Sequence, residues 1–413
     1  MAEYLAETFL NPSWSWLAYA VVAAVQSVLL LTLLAVAAAG FTWAERKVSA
    51  RIQDRLGPTR TGCRFGWLQS PADGLKLLAK EDFVPSFGDP TLFRLAPYVC
   101  FCAAFCTFLA LPFADGWVAL HLNIGVFFIL AVGGTEVFGV ILGGYASGSK
   151  WSLYGAMREA AQVVSYEIPL GLCAVVPVMI AGSMDLVDIG SRQSGWFFNW
   201  YLLHDPFTFV TFWIYLTCIV AGTNRAPFDL PEAESELVAG FLTEYSGFRW
   251  SIFFMAEYGS MFVLSGLGAI LFLGGWNGPV PIGQWLVAMA PDSGSLAVAA
   301  VFAANLLGLC NLILKCVVGV LFMMWLRWTL PRLRIDQVMT TCLKYCVPLA
   351  CAMFAGAMVW QYTFPTGIVI PTVKPAEATA PTAPGTSSDV VYNHQESAPF
   401  RPTLGLADTK GGR

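Results

Sequence analysis

Charge is what this sequence has least of. Asp, Glu, Lys and Arg make up 12% of its 413 residues while 57% are hydrophobic, with 15 Trp and 30 Phe among them, and that balance excludes an ordinary soluble globular domain. Histidine is scarcer still: His121, His204 and His394 stand far apart and suggest no metal centre. Eleven cysteines invite a redox reading, yet none forms a CxxC pair, and all but Cys63 fall in or beside apolar stretches. Iron–sulfur clusters need four thiolates at loop-compatible spacing, whereas lone cysteines in helices behave as small hydrophobes. No metal ligand is expected here, and any redox cofactor is expected on a partner chain. The first apolar stretch also lacks a basic leader, having Glu3 and Glu7 instead, and shows no clear cleavage site, so it is expected to be a permanent helix. A net charge of −4, spread over two sides of a membrane, gives no reason to expect a nucleic-acid partner.

What is present is a series of apolar windows of about 20 residues, the length a helix needs to cross the hydrocarbon core. The expected fold is an all-α integral membrane protein of about eight transmembrane helices, with spans near 17–42, 94–114, 121–146, 160–182, 206–223, 250–275, 297–325 and 343–364. These make up a polytopic membrane domain over 1–365. The Pro/Thr/Ala-rich remainder, 366–413, reads as a disordered tail. Lys and Arg collect on one side of this arrangement: Arg46, Lys47, Arg51, Arg55, Arg60, Arg64, Lys76, Lys80 and Arg94 fall in the first loop alone, against Arg192 opposite. The excess marks the cytoplasmic side and places both termini outside.

Three inner loops and the charges between them hold the chemistry. In the first, Ser70-Pro71-Ala72-Asp73 reads as a helix start with Ser as the cap. Asp73, Lys76 and Lys80 then share one face and Ala72, Leu75, Leu78 and Ala79 the other, as suits a short amphipathic helix at the membrane interface. Such a helix would frame a lateral entrance for a lipid-soluble molecule. The second loop, Ser147 to Arg158, runs into a span that carries Glu167 about two turns inside. Glu136 and Glu257 interrupt two further spans, and Lys315 a third. Ionised side chains are costly at that depth, and function is their default reading. Buried ion pairs or satisfied polar contacts would account for any one of them, but four in one chain favour a proton relay. The third loop, Asn224 to Leu237, holds Asp229, Glu232, Glu234 and Glu236, followed by Glu244. Asp229 and Glu232 suit a capped helix start, whereas so many neighbouring carboxylates titrate together.

The order of the motifs is itself recognisable. Glu45-Arg46-Lys47, the run from Arg55-Leu56-Gly57-Pro58 to Lys80-Glu81, Ser165-Tyr166-Glu167, and Asn224-Arg225-Ala226-Pro227-Phe228-Asp229-Leu230-Pro231-Glu232 together resemble the H subunit of bacterial NADH:quinone oxidoreductase, the counterpart of mitochondrial NADH dehydrogenase subunit 1. The resemblance covers roughly residues 15–365. It implies a component of respiratory complex I, inactive alone, in the bacterial inner membrane. The membrane side of a quinone chamber would be formed here, with Glu45, Arg46, Arg55, Phe228 and Asp229 at chamber positions. Glu167, Glu232, Glu234 and Glu257, with Glu136, would couple quinone reduction to proton translocation. The substrate would be ubiquinone or menaquinone. NADH, FMN and iron–sulfur clusters would be carried by soluble partner subunits, and antiporter-like membrane subunits would be the other neighbours. Glu159, where a small residue is more usual in the family, is left outside this set. Two rival readings are a membrane anchor of a related nickel–iron hydrogenase and a stand-alone proton-coupled transporter; the latter would show paired Gly/Pro-broken spans in two halves, which the sequence lacks.

Overall fold

The computed structural model describes residues 15–230, 238–289 and 295–364, and among these it contains helices and connecting loops but no strand. Helix α1 (Ser15–Ile52) has 38 residues; at 1.5 Å per residue it measures about 57 Å, well beyond a hydrocarbon core of about 30 Å. The helix that carries Glu45-Arg46-Lys47 near its end is thus longer than one crossing requires. Helix α2 (Gln69–Ala79) buries no residue and is the short amphipathic element expected. Its start differs from expectation: Ser70 does not cap it but donates to the Ala39 carbonyl of α1 at 2.7 Å, which ties the loop to that helix.

Helix α3 (Pro90–Ala110) starts where its sequence dictates, with Asp89 accepting from the Thr91 and Leu92 amides and Pro90 in the first turn. The third span is broken into α4 (Gly125–Gly134) and α5 (Glu136–Ala146), joined at Thr135. Helix α6 (Lys150–Ala181) begins earlier than the sequence suggests, absorbing most of the expected second loop. Glu167 consequently lies 17 residues from the helix start, between four and five turns rather than two. After α7 (Leu186–Arg192), helix α8 (Pro206–Gly222) opens with a reciprocal Asp205–Thr208 capping box. Helix α9 (Gly247–Phe272) is the centre of the bundle: it packs on α1, α3, α8 and the long α11 (Ser295–Thr329), and 17 of its 26 residues are buried, those of its second half chiefly in the main apolar core. A short α10 (Ile282–Met289) precedes α11. The chain then forms α12 (Ile335–Thr340), a π turn at Thr341–Cys346 and α13 (Val347–Thr363).

Among the described residues, seven segments are long and apolar enough to cross a membrane, with α4–α5 and α12–α13 each counting as one. The expected eighth, α8, has 17 residues, about 26 Å, because the Asp205 cap and the turn at Asn224 fix its two ends. The chain is therefore an all-α, multi-pass membrane protein.

Candidate functional site

The site starts at a turn. Asn224 follows α8 with a left-handed φ of 51°, a conformation Asn tolerates better than most residues. This ends the helix and sends two consecutive side chains in useful directions. The Asn224 amide nitrogen donates to Glu159 Oε1 at 2.7 Å, and its carbonyl oxygen accepts from Gln162 at 3.1 Å. Arg225 is 3% exposed, and a guanidinium so buried must be paired. It reaches Glu257 at 2.9 Å and Glu45 at 3.4 Å, and lies over the Tyr258 ring at 4.6 Å. Glu45 in turn takes Arg327 of α11 at 2.5 Å and a hydrogen bond from the Tyr258 hydroxyl. One carboxylate thus joins α1, α9, α11 and the loop after α8.

Beyond this cluster lies a cavity of about 420 Å³ whose polar lining includes Glu136, Glu159, Glu167, Glu257, Asn224 and Ser260. A smaller void of about 30 Å³ shares Glu136, Glu159, Asn224 and Glu257 with it. The rest of the wall is mostly apolar and comes largely from α4, α6 and α9, with smaller contributions such as Thr107 of α3 and Cys218 of α8. Four carboxyl groups from three helices therefore face one space. Glu136 begins α5 immediately after the break at Thr135, and it accepts from Ser260 at 2.7 Å and from the Cys100 thiol at 3.4 Å. Glu167 lies against the bare backbone of Gly134, where a Cβ would come within 2.6 Å of its Oε1. Glycine at 134 is what lets the acid approach the break.

At the far end of α1, Arg46 pairs with Asp73 at 2.5 Å, fastening α2 to α1, and Lys76 supports the same carboxylate at 3.3 Å. Partial burial opposes the charge on Asp73, but the hydrogen bond and charge of Arg46, with Lys76, outweigh it and hold the carboxyl below its ordinary range. Trp43 and Trp67 stack at 4.5 Å beside this anchor, and Lys47 donates to the Pro58 carbonyl at 2.7 Å.

The structure thus brings Glu136, Glu167 and Glu257 to one cavity and links Glu257 through Arg225 to Glu45. Of the other described candidates, Arg46, Arg55, Phe228 and Asp229 do not line it. Arg55 is exposed and donates to Gln53. Phe228 is buried with its ring 5.4 Å from that of Tyr166, and Asp229 pairs with Arg332 at 3.0 Å. Glu232 and Glu234 fall outside the described residues. Among the described residues no group of His, Cys, Asp and Glu is arranged to hold a metal ion. Sequence reasoning sets Glu159 aside, although it lines both cavities. The signal is there: Glu159, Val163 and Glu167 at i, i+4 and i+8 share a helix face. Tyr258, Ser260 and Arg327 give no such signal, because only the folded bundle brings them to the acids.

A family model described as NADH dehydrogenase matches residues 25–358. The NADH-quinone oxidoreductase H subunit of Anaeromyxobacter dehalogenans is 44% identical over 338 residues, covering 82% of this chain and 81% of that protein. The H subunit of Chlorobium luteolum is 45% identical over 325 residues, or 78% and 84% of the two chains. That of Geobacillus kaustophilus is 42% identical over 344 residues, or 83% and 95%.

Proposed function

Because the chain belongs to the family of NADH-quinone oxidoreductase H subunits, membrane components of respiratory complex I, we propose that it forms the membrane side of the quinone chamber and couples quinone reduction to proton translocation through the acids of its cavity. The observation that carries this reading is the shared space: Glu136, Glu159, Glu167 and Glu257 line one cavity, which is tied through Arg225 to Glu45 at the inner end of α1. Intramembrane acids are tolerated facing a cavity or a partner, and they mark proton relays.

Quinone enters sideways from the bilayer beside α2, and its headgroup is received by Glu45, Arg46, Arg55, Phe228 and Asp229. Two electrons arrive from an iron–sulfur cluster on a soluble partner, fed by NADH through FMN on other subunits, and reduction to quinol takes up two protons. The charge change at the headgroup is felt first by Glu45 and its two arginines. Arg225 is shared between Glu45 and Glu257, so a shift in its balance reaches the cavity directly. From there the Glu257, Glu159, Glu136 and Glu167 carboxyls pass the change to antiporter-like neighbours, with Glu232 and Glu234 on the loop side of the same path. The membrane is the bacterial inner membrane, with both termini outside.

Glu167→Gln tests this. The substitution preserves size and hydrogen-bonding capacity but removes the titrating group. The complex is expected to assemble normally and to lose proton pumping, measured as a proton-to-electron ratio in native vesicles that falls towards zero. Normal coupled turnover in that variant would remove Glu167 from the path.

A further inference from the structure

Lys315 is the intramembrane charge that the acid cavity leaves unused: it lines neither void. Its ammonium group instead donates to three backbone carbonyls just past the end of α9, those of Leu273 at 2.6 Å, Gly275 at 2.8 Å and Asn277 at 2.6 Å. An ammonium has three N–H donors, so every one is used. The Trp200 ring lies 4.6 Å from the nitrogen, within the range at which an aromatic face attracts a cation.

The loop is shaped for this convergence. Gly274 and Gly275 have φ values of 75° and 55°, which turns alternate carbonyls to the same side. At Gly274 any Cβ would strike Trp200 Nε1 at 2.5 Å. The end of a helix leaves unsatisfied carbonyls and a partial negative charge. In lipid, such carbonyls are costly unless they find a donor or a cation. Backbone carbonyls arranged around one point are also the means by which proteins replace the hydration shell of a monovalent cation.

We propose that the Leu273, Gly275 and Asn277 carbonyls form a monovalent-cation cage that the chain fills with its own ammonium group, making Lys315 a fixed clasp between α9 and α11 rather than a member of the proton path. It is a positioning residue. Helix α9 carries Tyr258 and α11 carries Arg327, and both must meet Glu45 about 20 Å further along their helices. Clasping the two helices at one end sets their register at the other. The inference rests on the cage geometry and stands whether or not Glu167 belongs to the relay.

The experiment compares the intact complex with a Lys315→Met variant in ammonium chloride and in choline chloride, choline being too large for the cage. The variant in choline is expected to lose most of its inhibitor-sensitive quinone reductase activity after a detergent and heat challenge that the parent survives. Ammonium should restore it, and its proton-to-electron ratio should match the parent's; the parent should be indifferent to the exchange of salts. A variant as robust as the parent in choline, or one that is robust but pumps fewer protons per electron, overturns the clasp. If the variant does not assemble, acetylation of the parent complex by acetic anhydride at neutral pH decides the matter. The exposed Lys150 and Lys344 should react and Lys315 should be spared, and equal modification of Lys315 overturns the proposal.

Discussion

The two ends of the acid row are built differently. At the α1 end Glu45 is buried against two guanidinium groups and a phenol, from three other parts of the chain. In the cavity Glu136 is held by a hydroxyl and a thiol, and Glu167 lies against glycine backbone. An arginine can only donate, so a proton added to Glu45 leaves its partners facing a group that no longer balances them. A serine hydroxyl donates to a carboxylate and accepts from a carboxylic acid equally well. Glu136 can therefore change its proton and keep Ser260. The first arrangement fixes four elements in place; the second tolerates a change of charge without a change of structure.

The largest break in this comparison comes from the fixed end. Glu45→Ala takes from the buried Arg225 and the partly exposed Arg327 the carboxylate they share, a loss of about 3 kcal/mol, the low end for broken buried pairs because Arg225 keeps Glu257. The complex should fail to accumulate or should inactivate at a markedly lower temperature, as followed by its quinone reductase activity on heating. Unchanged thermal inactivation would mean that the cluster fixes nothing. Glu136→Gln probes the tolerant end and should cost far less, within about 1 kcal/mol of stability, since the new amide can still bond Ser260. Its coupling should fall nonetheless, seen as fewer protons moved per electron. Equal losses of stability in the two variants would erase the distinction between the ends.

Much of the fold is legible from composition and periodicity, because lipid leaves the backbone few options: apolar windows become helices whose internal hydrogen bonds are complete. Boundaries are less so. The expected start of α6 lies ten residues late because Lys150 to Arg158 is polar enough to read as a loop, and only packing against neighbouring elements makes it helical. The break at Thr135 is marked by Gly133-Gly134, but sequence does not reveal that a glutamate more than 30 residues further along fills the space that Gly134 leaves. In the site, the acids stand out because charge is conspicuous in an apolar helix. Their partners do not, because Ser260, Tyr258 and Arg327 are ordinary in sequence and acquire meaning only from long-range contacts. Lys315 is conspicuous for the same reason as the acids and invites the same reading. Three backbone carbonyls, invisible in any sequence, give it a different place.

The smallest expected effect lies where Arg46 and Asp73 hold α2 against α1. Arg46 is 44% exposed and Asp73 21%, so the pair contributes no more than about 1 kcal/mol, and Arg46→Ala should leave assembly intact. Because the Asp73 carboxyl is held below its ordinary range by Arg46 and Lys76, what the pair contributes is fully present above the ordinary carboxylate pKa. It is lost as pH falls through the lowered value. Protection of residues 69–79 against hydrogen exchange, corrected for the intrinsic pH dependence of amide exchange, should therefore persist through mild acid in the parent and fall only below the ordinary carboxylate range, whereas in the variant it should already be reduced at neutral pH. If α2 frames the quinone entrance, loosening it should raise the quinone concentration needed for half-maximal turnover several-fold while leaving the maximal rate nearly unchanged. A quinone titration that superimposes on the parent's, with faster exchange in α2, would make Arg46 an anchor of the interfacial helix alone and shift the entrance to another face of the bundle.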